Sequence, residues 1–375
     1  MGLAPAGVPP PRLNKATRVQ PHALKSSSPV RVSVVIPCYN YGRYLAHCAA
    51  SALMQSSVNV GVEVLIVDDA STDETPEVAA ELVESDSRIR YIRHGSNQGH
   101  IASFNEGLFS VEGDFVVKLD ADDLLAPGAL KRATALLSTY PNVGFAYGRV
   151  RHFRDIAPAR PRTMVRRWRI WAGQEWVRLR CQRAVNCISN PEVVVRTSVL
   201  RKTGGHRHEV PHTSDLELWL RLACVSDVGY IVGPDQAYYR VHAASMQRTV
   251  HAGLVTDLAA RREAFDLALS DVDFGPSNAG QMLDRVHLVL AKQALDRACR
   301  AYDRGRTAEV PIGDLLRFAQ EVWPMWQQLP EWQGLLRRRR LGADLVPVAP
   351  PYLARAMMRR IREEIRYLRW RRSGV

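Results

Sequence analysis

Short apolar runs rich in β-branched residues alternate with amphipathic stretches in the first part of the chain. The runs have the length of buried strands, and the stretches between them repeat apolar residues at three and four positions, as helices laid on a sheet do. Such alternation predicts mostly parallel strands joined by right-handed crossovers, with helices covering both faces of the sheet. The predicted strands are residues 31–37, 63–67, 90–93 and 114–119, and the intervening helices include residues 44–55 and 101–109.

The pattern continues less regularly and changes character near residue 250. An Arg- and Trp-rich stretch, residues 151–183, is expected to interrupt the sheet. Further strands are predicted at 143–150, 192–196, 229–232 and 237–241, and further helices at 127–140, from 174, at 215–225, 250–269, 280–304 and 314–326. We therefore divide the chain into a flexible leader (1–30), an α/β domain (31–250) and a helical C-terminal region (251–375).

The net charge of +13 is distributed unevenly. Residues 1–30, 151–183 and 335–375 carry +4, +8 and +9, so the remainder of the chain is net −8. Basic segments can meet nucleic acid, an anionic membrane surface or an anionic substrate. Because they contain no recognised nucleic-acid module, we expect no nucleic-acid partner. The six cysteines lack CxxC pairs and zinc-ribbon spacing, which is typical of reduced thiols in a cytoplasm.

Residues 351–375 have the pattern of a basic amphipathic helix. Apolar residues recur every three to four positions at Leu353, Met357, Ile361, Ile365 and Leu368, and arginines occupy the other faces. Such a helix suits an anionic membrane surface, and the protein would then be cytoplasmic and peripheral on the inner face of the membrane. Packing of the helix on the core or on a partner subunit explains the same pattern, and both interpretations stay open.

The segment from Lys118 to Leu125 places three carboxylates where the fourth strand ends. Asp120, Asp122 and Asp123 fall at the C-terminal edge of the predicted sheet, where open α/β sheets bind their ligands. Mg²⁺ and Mn²⁺ take oxygen ligands, usually one or two carboxylates together with substrate phosphates. The alternative is an acidic turn whose side chains bond the local backbone.

Two other loops reach the same edge of the sheet. Tyr39 follows the first strand and Asp69 follows the second. A ligand lying across these loops would meet a carboxylate at one end and a cation at the other, which fits a nucleoside diphosphate. The chain contains no GxGxxG or GxxxxGK[ST] loop, so neither a dinucleotide-binding fold nor a P-loop is supported.

Five motifs in this order resemble those of the inverting family 2 glycosyltransferases with a GT-A fold, over roughly residues 32–245. They are VSVVIPCYNYGRYL, VLIVDDASTDET, NQGHIASFNEGL, LDADD, and SDLELWLRLA followed by YYRVH. The resemblance implies a Rossmann-like, mixed and mostly parallel sheet followed by the helical region. It also implies hexosyl or N-acetylhexosaminyl transfer, in polysaccharide or cell-envelope synthesis, from a nucleotide-diphosphate donor such as a UDP-sugar to a hydroxyl of a glycan or lipid-linked glycan.

The resemblance further assigns roles to individual residues. It places Pro37, Tyr39 and Asp69 around the base of the donor, assigns Asp120, Asp122 and Asp123 to the diphosphate and to Mn²⁺ or Mg²⁺, and makes Asp215 the catalytic base. Further candidates are Asn97 and Lys118 for donor binding and His242 for contact with the metal or the diphosphate. One of Asp122 and Asp123 is expected to be the direct metal ligand.

Such a transfer needs a general base, because an acceptor hydroxyl must lose its proton as it attacks the anomeric carbon. The alternative for Asp215 is a helix N-cap, and for His242 a histidine bonded at a strand end. Many relatives have Glu-Asp where this chain has Ser214-Asp215.

Two rival functions follow from the same residues. A sugar nucleotidyltransferase would need a Gly-rich phosphate loop after the first strand, and the residues there are Pro37-Cys38-Tyr39-Asn40. A catalytically inactive glycosyltransferase-like scaffold would bind a partner or a membrane through the Arg-rich segments. Because the acidic positions and Asp215 are all present, the sequence favours the enzyme.

Overall fold

A computed structural model describes residues 17–21, 29–242 and 253–375. The strands of these residues join in one sheet. They are β1 (Thr17–Val19), β2 (Val30–Cys38), β3 (Val60–Asp68), β4 (Ile89–Arg93), β5 (Phe115–Lys118), β6 (Leu124–Leu125), β7 (Val143–Phe153), β8 (Arg167–Trp171), β9 (Val194–Arg196) and β10 (Asp227–Arg240).

The strand order is β1-β8-β10-β7-β9-β5-β2-β3-β4, with β6 paired to β10. Strands β5, β2, β3 and β4 are parallel, as are β7 and β10. The short β9 runs antiparallel between β5 and β7, and β8 and β1 add antiparallel strands at the other edge. The predicted mixed, mostly parallel sheet is confirmed.

Helices cover both faces of this sheet, and a helical region follows it. They are α1 (Gly42–Leu53), α2 (Thr75–Ser85), α3 (His100–Phe109), α4 (Ala129–Thr139), α5 (Gly173–Cys181), α6 (Thr197–Thr203), α7 (Ser214–Val225), α8 (Leu254–Leu269), α9 (Ala279–Asp303), α10 (Ile312–Val322), α11 (Pro330–Leu341) and α12 (Pro350–Ser373).

The two faces of β2 show why its residues form a central strand. Val34 and Ile36 are buried in the apolar core that includes Leu45 of α1 and Leu130 of α4. Val35 points to the opposite core, which contains the buried faces of α3, α5 and α7 and continues into α8, α9 and α10. A strand covered on both sides is apolar at successive positions, as in this run.

The two predicted domain boundaries, near residues 30 and 250, lie close to or within segments that the structure does not describe. Thr17–Val19 lie within the expected flexible leader, but they form an edge strand paired with β8, so the leader prediction is wrong there. Residues 1–16 and 22–28 lie outside the described residues. The predicted boundary near residue 250 also falls outside them, within residues 243–252. The rest of the division into domains stays a prediction.

Three local predictions need correction. The Arg- and Trp-rich stretch does not interrupt the sheet throughout, because Arg167–Trp171 form β8 between β10 and β1. The two short strands expected at 229–232 and 237–241 are one long strand, β10, with register shifts against β7. The spacing of Ser71 and Glu74 predicts a capping box for the helix after β3, but α2 lacks it: its first N–H, that of Thr75, donates to Asp73 Oδ1 at 3.1 Å.

Two general features bear on the wider interpretation. Within residues 17–21, 29–242 and 253–375, no helix is both long and apolar enough to cross a bilayer. All six cysteines are free thiols, as expected. Burial raises the pKa of Cys38, at the end of β2, to about 12, so this residue is a protonated thiol at neutral pH.

Candidate active site

A cavity of about 510 Å³ opens where β2, β3 and β5 end. This is the size of a typical small-ligand pocket, about 300–1,000 Å³. Nine of the residues predicted from the sequence line it: Pro37, Tyr39, Asp69, Asn97, Lys118, Asp120, Asp122, Asp123 and Asp215. The tenth, His242, contacts one of them, since its Nε2 lies 2.9 Å from Asp122 Oδ2.

The loops after β2 and β3 are bonded to each other. The N–H of Asn40 donates to Ser71 Oγ at 2.9 Å, and the N–H of Thr72 donates to Asn40 Oδ1 at 2.8 Å. Asn40 has a φ of 58°, a left-handed conformation that Asn tolerates better than most residues. These bonds hold the ring of Tyr39, which is 45% exposed, at the rim of the cavity.

Asp69 organises the loop that leads into α3. Its Oδ1 accepts from the N–H of Gln98 and its Oδ2 from the N–H of Gly99, both at 2.7 Å. His94 Nδ1 lies 2.7 Å from Asp69 Oδ1. Burial acts to raise the pKa of Asp69, but these hydrogen bonds outweigh it and lower the pKa. Asp69 is therefore an ionised carboxylate whose bonds fix Asn97 and its neighbours beside the cavity.

His94 itself was missed by the sequence analysis. Its second nitrogen, Nε2, lies 2.6 Å from Glu106 Oε2, so the ring bridges two carboxylates. Burial alone would lower the pKa of His94, but the bonds to Asp69 and Glu106 raise it above its ordinary value. The sequence signal was weak, because a single histidine after a strand has many ordinary explanations.

At the end of β5, Asp120 is partnered by a cation and an amide. Lys118 Nζ donates to Asp120 Oδ1 at 2.6 Å, and Asn190 Nδ2 donates to Asp120 Oδ2 at 3.2 Å. Burial acts to raise the pKa of Asp120, but the charge of Lys118 prevails and lowers it. Lys118 and Asn190 thus hold Asp120 ionised against the cavity.

The next two aspartates are in different surroundings. Asp123 is 1% exposed; its Oδ1 accepts from the N–H of Arg240 at 2.8 Å, and its Oδ2 has no hydrogen-bond partner among the described residues. Asp122 keeps 17% of its side chain exposed. Burial, followed by the charge of Asp120, raises the pKa of Asp122, and burial with the charges of Asp122 and Asp120 raises that of Asp123 well above its usual range.

This crowding fits a divalent cation. Three carboxylates lie within four residues, and a positive charge would relieve the repulsion that raises two of their pKa values. In the described part of the chain, no group of three or more His, Cys, Asp or Glu side chains is arranged to hold a metal ion by itself. An ion at this turn would therefore need further oxygens, such as those of a diphosphate. Asp122 reaches the cavity more openly than Asp123.

Asp215 lies in the first turn of α7 and lines the same cavity. Its Oδ1 accepts from the N–H of Leu216 at 2.8 Å, and its Oδ2 accepts from Asn186 Nδ2 at 2.9 Å. Burial raises its pKa, which makes it a stronger base than an ordinary carboxylate. The preceding Ser214 does not provide a second acid; its Oγ lies 3.1 Å from Nδ1 of the buried His206.

Asn186 and Asn190 were not predicted from the sequence, although each contacts a predicted carboxylate. They flank Ile188 in an irregular segment before β9. Asn190 adopts a φ of 105°, and a strained backbone of this kind is often found at functional sites. Nothing in the local pattern distinguishes such asparagines from ordinary loop residues, so only the folded arrangement identifies them.

Comparison with known proteins relates part of the chain to a family. The profile of glycosyl transferase family 2 matches residues 33–201. An uncharacterised glycosyltransferase of Nostoc sp. is 36% identical over 136 residues, which cover 36% of this chain and 40% of that relative. The chain thus spans well under half the length of the first curated relatives that it matches.

Solved structures share the fold at low identity. TarS 1–349 of S. aureus, in complex with UDP-GlcNAc, matches with a TM-score of 0.51 and 15% identity, over 80% of this chain and 92% of that one. The mannosyltransferase PcManGT of Pyrobaculum calidifontis, in complex with GDP-Man and Mn²⁺, matches with a TM-score of 0.52 and 19% identity, over 91% of this chain and 86% of that one. Residues 33–201 thus match the profile of glycosyl transferase family 2, and the chain shares the GT-A fold of these solved glycosyltransferases.

Proposed function

We propose that the protein is an inverting glycosyltransferase that moves a sugar from a nucleotide-diphosphate donor to a hydroxyl of a glycan or lipid-linked glycan. The observation that carries the proposal is that one cavity is lined by three kinds of carboxylate: Asp69, which already accepts several hydrogen bonds, the crowded acidic turn, and Asp215, a base of raised pKa.

The donor would lie along the ends of β2, β3 and β5. Tyr39 offers an aromatic face for a base, and the loop held by Asp69 borders the same space. UDP-GlcNAc and GDP-Man in the two structural neighbours support a nucleotide sugar as the class of donor. We expect a UDP-sugar, and an assay with a panel of nucleotide sugars would identify the sugar.

The transfer itself is a single displacement. The acceptor hydroxyl gives its proton to Asp215 and forms a new bond to the anomeric carbon, while the bond from that carbon to the diphosphate oxygen breaks and the diphosphate leaves with the electron pair. Attack from the face opposite the diphosphate inverts the anomeric centre. Asn186 donates to Asp215 Oδ2 and so orients the carboxylate towards the acceptor.

Asp122 would hold a divalent cation, with Asp120 and Asp123 beside it and His242 bonded to its Oδ2. When bound, Mn²⁺ or Mg²⁺ stabilises the negative charge of the leaving diphosphate. The Mn²⁺ in the structure of PcManGT supports a divalent cation as the class of cofactor.

The test is a panel of nucleotide sugars with Mn²⁺ or Mg²⁺, read first as thermal shift and then as release of the nucleoside diphosphate when a hydroxyl acceptor is present to take the sugar. A correct donor raises the apparent stability, because it binds only the native state. Asp215→Asn should keep that shift and lose about 10²- to 10⁴-fold in turnover, which is the usual contribution of a general base.

The control is Asp273→Asn, a surface substitution outside the cavity with the same change of charge. It should leave both the thermal shift and the turnover as in the wild type. If no donor raises the stability and none is consumed, the inactive scaffold replaces the enzyme as the best explanation.

A further inference from the structure

Helix α12 has its apolar side turned away from the protein. None of its residues is buried. Five of its apolar side chains are between 43% and 69% exposed, and we call them the outer apolar stripe: Leu353, Met357, Ile361, Ile365 and Leu368. An amphipathic helix that docks on a core normally turns this side inwards. Packing on the core therefore does not account for the apolar side of α12, and a membrane surface or a partner subunit remains to cover it.

Polar contacts hold the inner side of α12. Arg359 pairs with Asp303, whose side chain is 2% exposed, and Glu363 pairs with Arg300 at 2.8 Å. Each residue of an α-helix turns by about 100°, so Ile361 and Ile365, two residues beyond Arg359 and Glu363, point about 200° away from these contacts. The stripe therefore faces away from the body of the protein.

The C-terminal end of α12 is also fixed. Tyr147 donates a hydrogen bond from its hydroxyl to the carbonyl of Gly374, and the hydroxyl of Tyr230 donates to the carbonyl of Arg371 at 3.3 Å. Gly374 is packed against the ring of Tyr230 so closely that a Cβ would overlap it. The helix is thus attached at its C-terminal end and along its inner side, and the stripe is held in one orientation.

The charge around the stripe selects the partner. The helix carries eight arginines against Glu363 and Glu364. Arg360 and Arg362 flank Ile361 on its two sides, and Arg369 follows Leu368. A second copy of the chain would bring two such cationic helices together, which electrostatic repulsion opposes. A surface with a negative potential above an apolar interior is the lipid headgroup layer of an anionic bilayer.

We propose that the outer apolar stripe and its arginines dock α12 in the plane of an anionic lipid bilayer. The apolar side chains enter the boundary between headgroups and acyl chains, and the long arginine side chains extend to the phosphates. Tyr367, which is 48% exposed and stacks on Trp370 at 5.9 Å, lies near the same surface, where aromatic residues are favoured.

The experiment is sedimentation of the full chain with vesicles of phosphatidylcholine alone and of phosphatidylcholine mixed with phosphatidylglycerol. The wild type should sediment with the mixed vesicles and much less with the neutral ones, and added salt should release it. Ile361→Asp with Ile365→Asp should weaken binding by more than about tenfold, since two apolar side chains no longer enter the bilayer. Arg360→Gln with Arg362→Gln should weaken it by about fivefold for each arginine removed.

The matched control is Val58→Asp with Val272→Asp, which changes the charge equally at two apolar positions that are 90% and 101% exposed outside α12. It should bind vesicles nearly as well as the wild type. The proposal is overturned if the wild type ignores the mixed vesicles, if the isoleucine and valine variants bind alike, or if the isoleucine variant instead dissociates an oligomer in vesicle-free solution. The donor thermal shift, measured on the same variants, reports separately on the proposed function.

Discussion

Two pairs of adjacent aspartates lie where parallel strands end, at the same edge of the sheet, and their surroundings differ. The pKa of Asp69 is lowered, whereas those of Asp122 and Asp123 are raised. Asp68-Asp69 after β3 is surrounded by donors: Asp68 Oδ2 accepts from the hydroxyl of Tyr91 at 2.8 Å, and Asp69 accepts from two backbone N–H groups. Asp122-Asp123 after β5 is crowded by other acids, and one of its buried oxygens has no hydrogen-bond partner among the described residues.

The difference shows that the same residue pair can have either a lowered or a raised pKa, according to its surroundings. A carboxylate that already accepts several hydrogen bonds has a lowered pKa and stabilises a loop, as Asp69 does. A carboxylate that is buried beside other acids, as Asp122 is beside Asp120, has a raised pKa and gains most from an added cation. The number of donors that reach each pair distinguishes them, and the residue type does not.

The largest effect, on turnover, is expected at Asp122-Asp123, the pair that is crowded by other acids. Asp122→Asn should lower turnover more than about a hundredfold, because a cation at the leaving diphosphate contributes several kcal/mol to catalysis. Stability should change little or rise, since a crowded charge is removed. Rates measured over a Mn²⁺ titration, with denaturant unfolding alongside, check both expectations.

Asp123→Asn is the matched comparison. An amide at this position can still accept from the N–H of Arg240, and the side chain is more enclosed than that of Asp122. We expect a smaller loss of metal dependence than for Asp122→Asn. A larger loss would make Asp123 the direct ligand and exchange the roles of the two residues.

A smaller effect, on stability, is expected at Asp68-Asp69, the pair that is surrounded by hydrogen-bond donors. Asp69→Asn should lower the free energy of unfolding by about 1–3 kcal/mol, because an amide brings a donor to a place where other donors converge. Urea denaturation measures the loss, and Asp273→Asn should show none of comparable size. An unchanged midpoint for Asp69→Asn would mean that the loop of Asn97 does not depend on this carboxylate.

The smallest effect is a pH dependence centred on His94. Its pKa is raised in the folded state, so its contribution to stability is complete below the unfolded pKa, about 6.5, and is lost as the pH rises through the folded value. The pKa of Asp69 is lowered, so its contribution is present above about 3.9 and is lost as the pH falls through the folded value.

The advantage of the wild type over His94→Gln should therefore be greatest between about pH 4 and 6.5 and shrink at higher pH. Denaturant unfolding at a series of pH values measures it. A difference that does not vary with pH would mean that His94 stays neutral between Asp69 and Glu106.

Much of the sheet and the position of the cavity followed from local patterns. Runs of β-branched residues such as Val64 to Val67 predicted the parallel strands, and the parallel arrangement placed their polar ends together. Strand β8 was missed because its arginines suggested an exposed segment, although Trp168 and Ile170 alternate with Arg167 and Arg169 in the period of a strand.

The contacts within the site were less predictable. Asn186, Asn190 and Arg240 reach the predicted carboxylates across long sequence separations, and such pairing depends on the folded chain. The acidic turn could be located from the sequence, but the pKa difference between its aspartates and Asp69 depends on backbone N–H groups that no residue pattern reveals.

Strand β10 reaches from one end of α12 to the acidic turn. Tyr230 on this strand bonds the carbonyl of Arg371, and Arg240, ten residues later on the same strand, bonds Asp123. If α12 lies flat on a membrane, the cavity then has a set height above the lipid. Only an acceptor hydroxyl at that distance from the bilayer could then reach Asp215. The height of the cavity would therefore determine the position along a lipid-anchored glycan at which the next sugar is added.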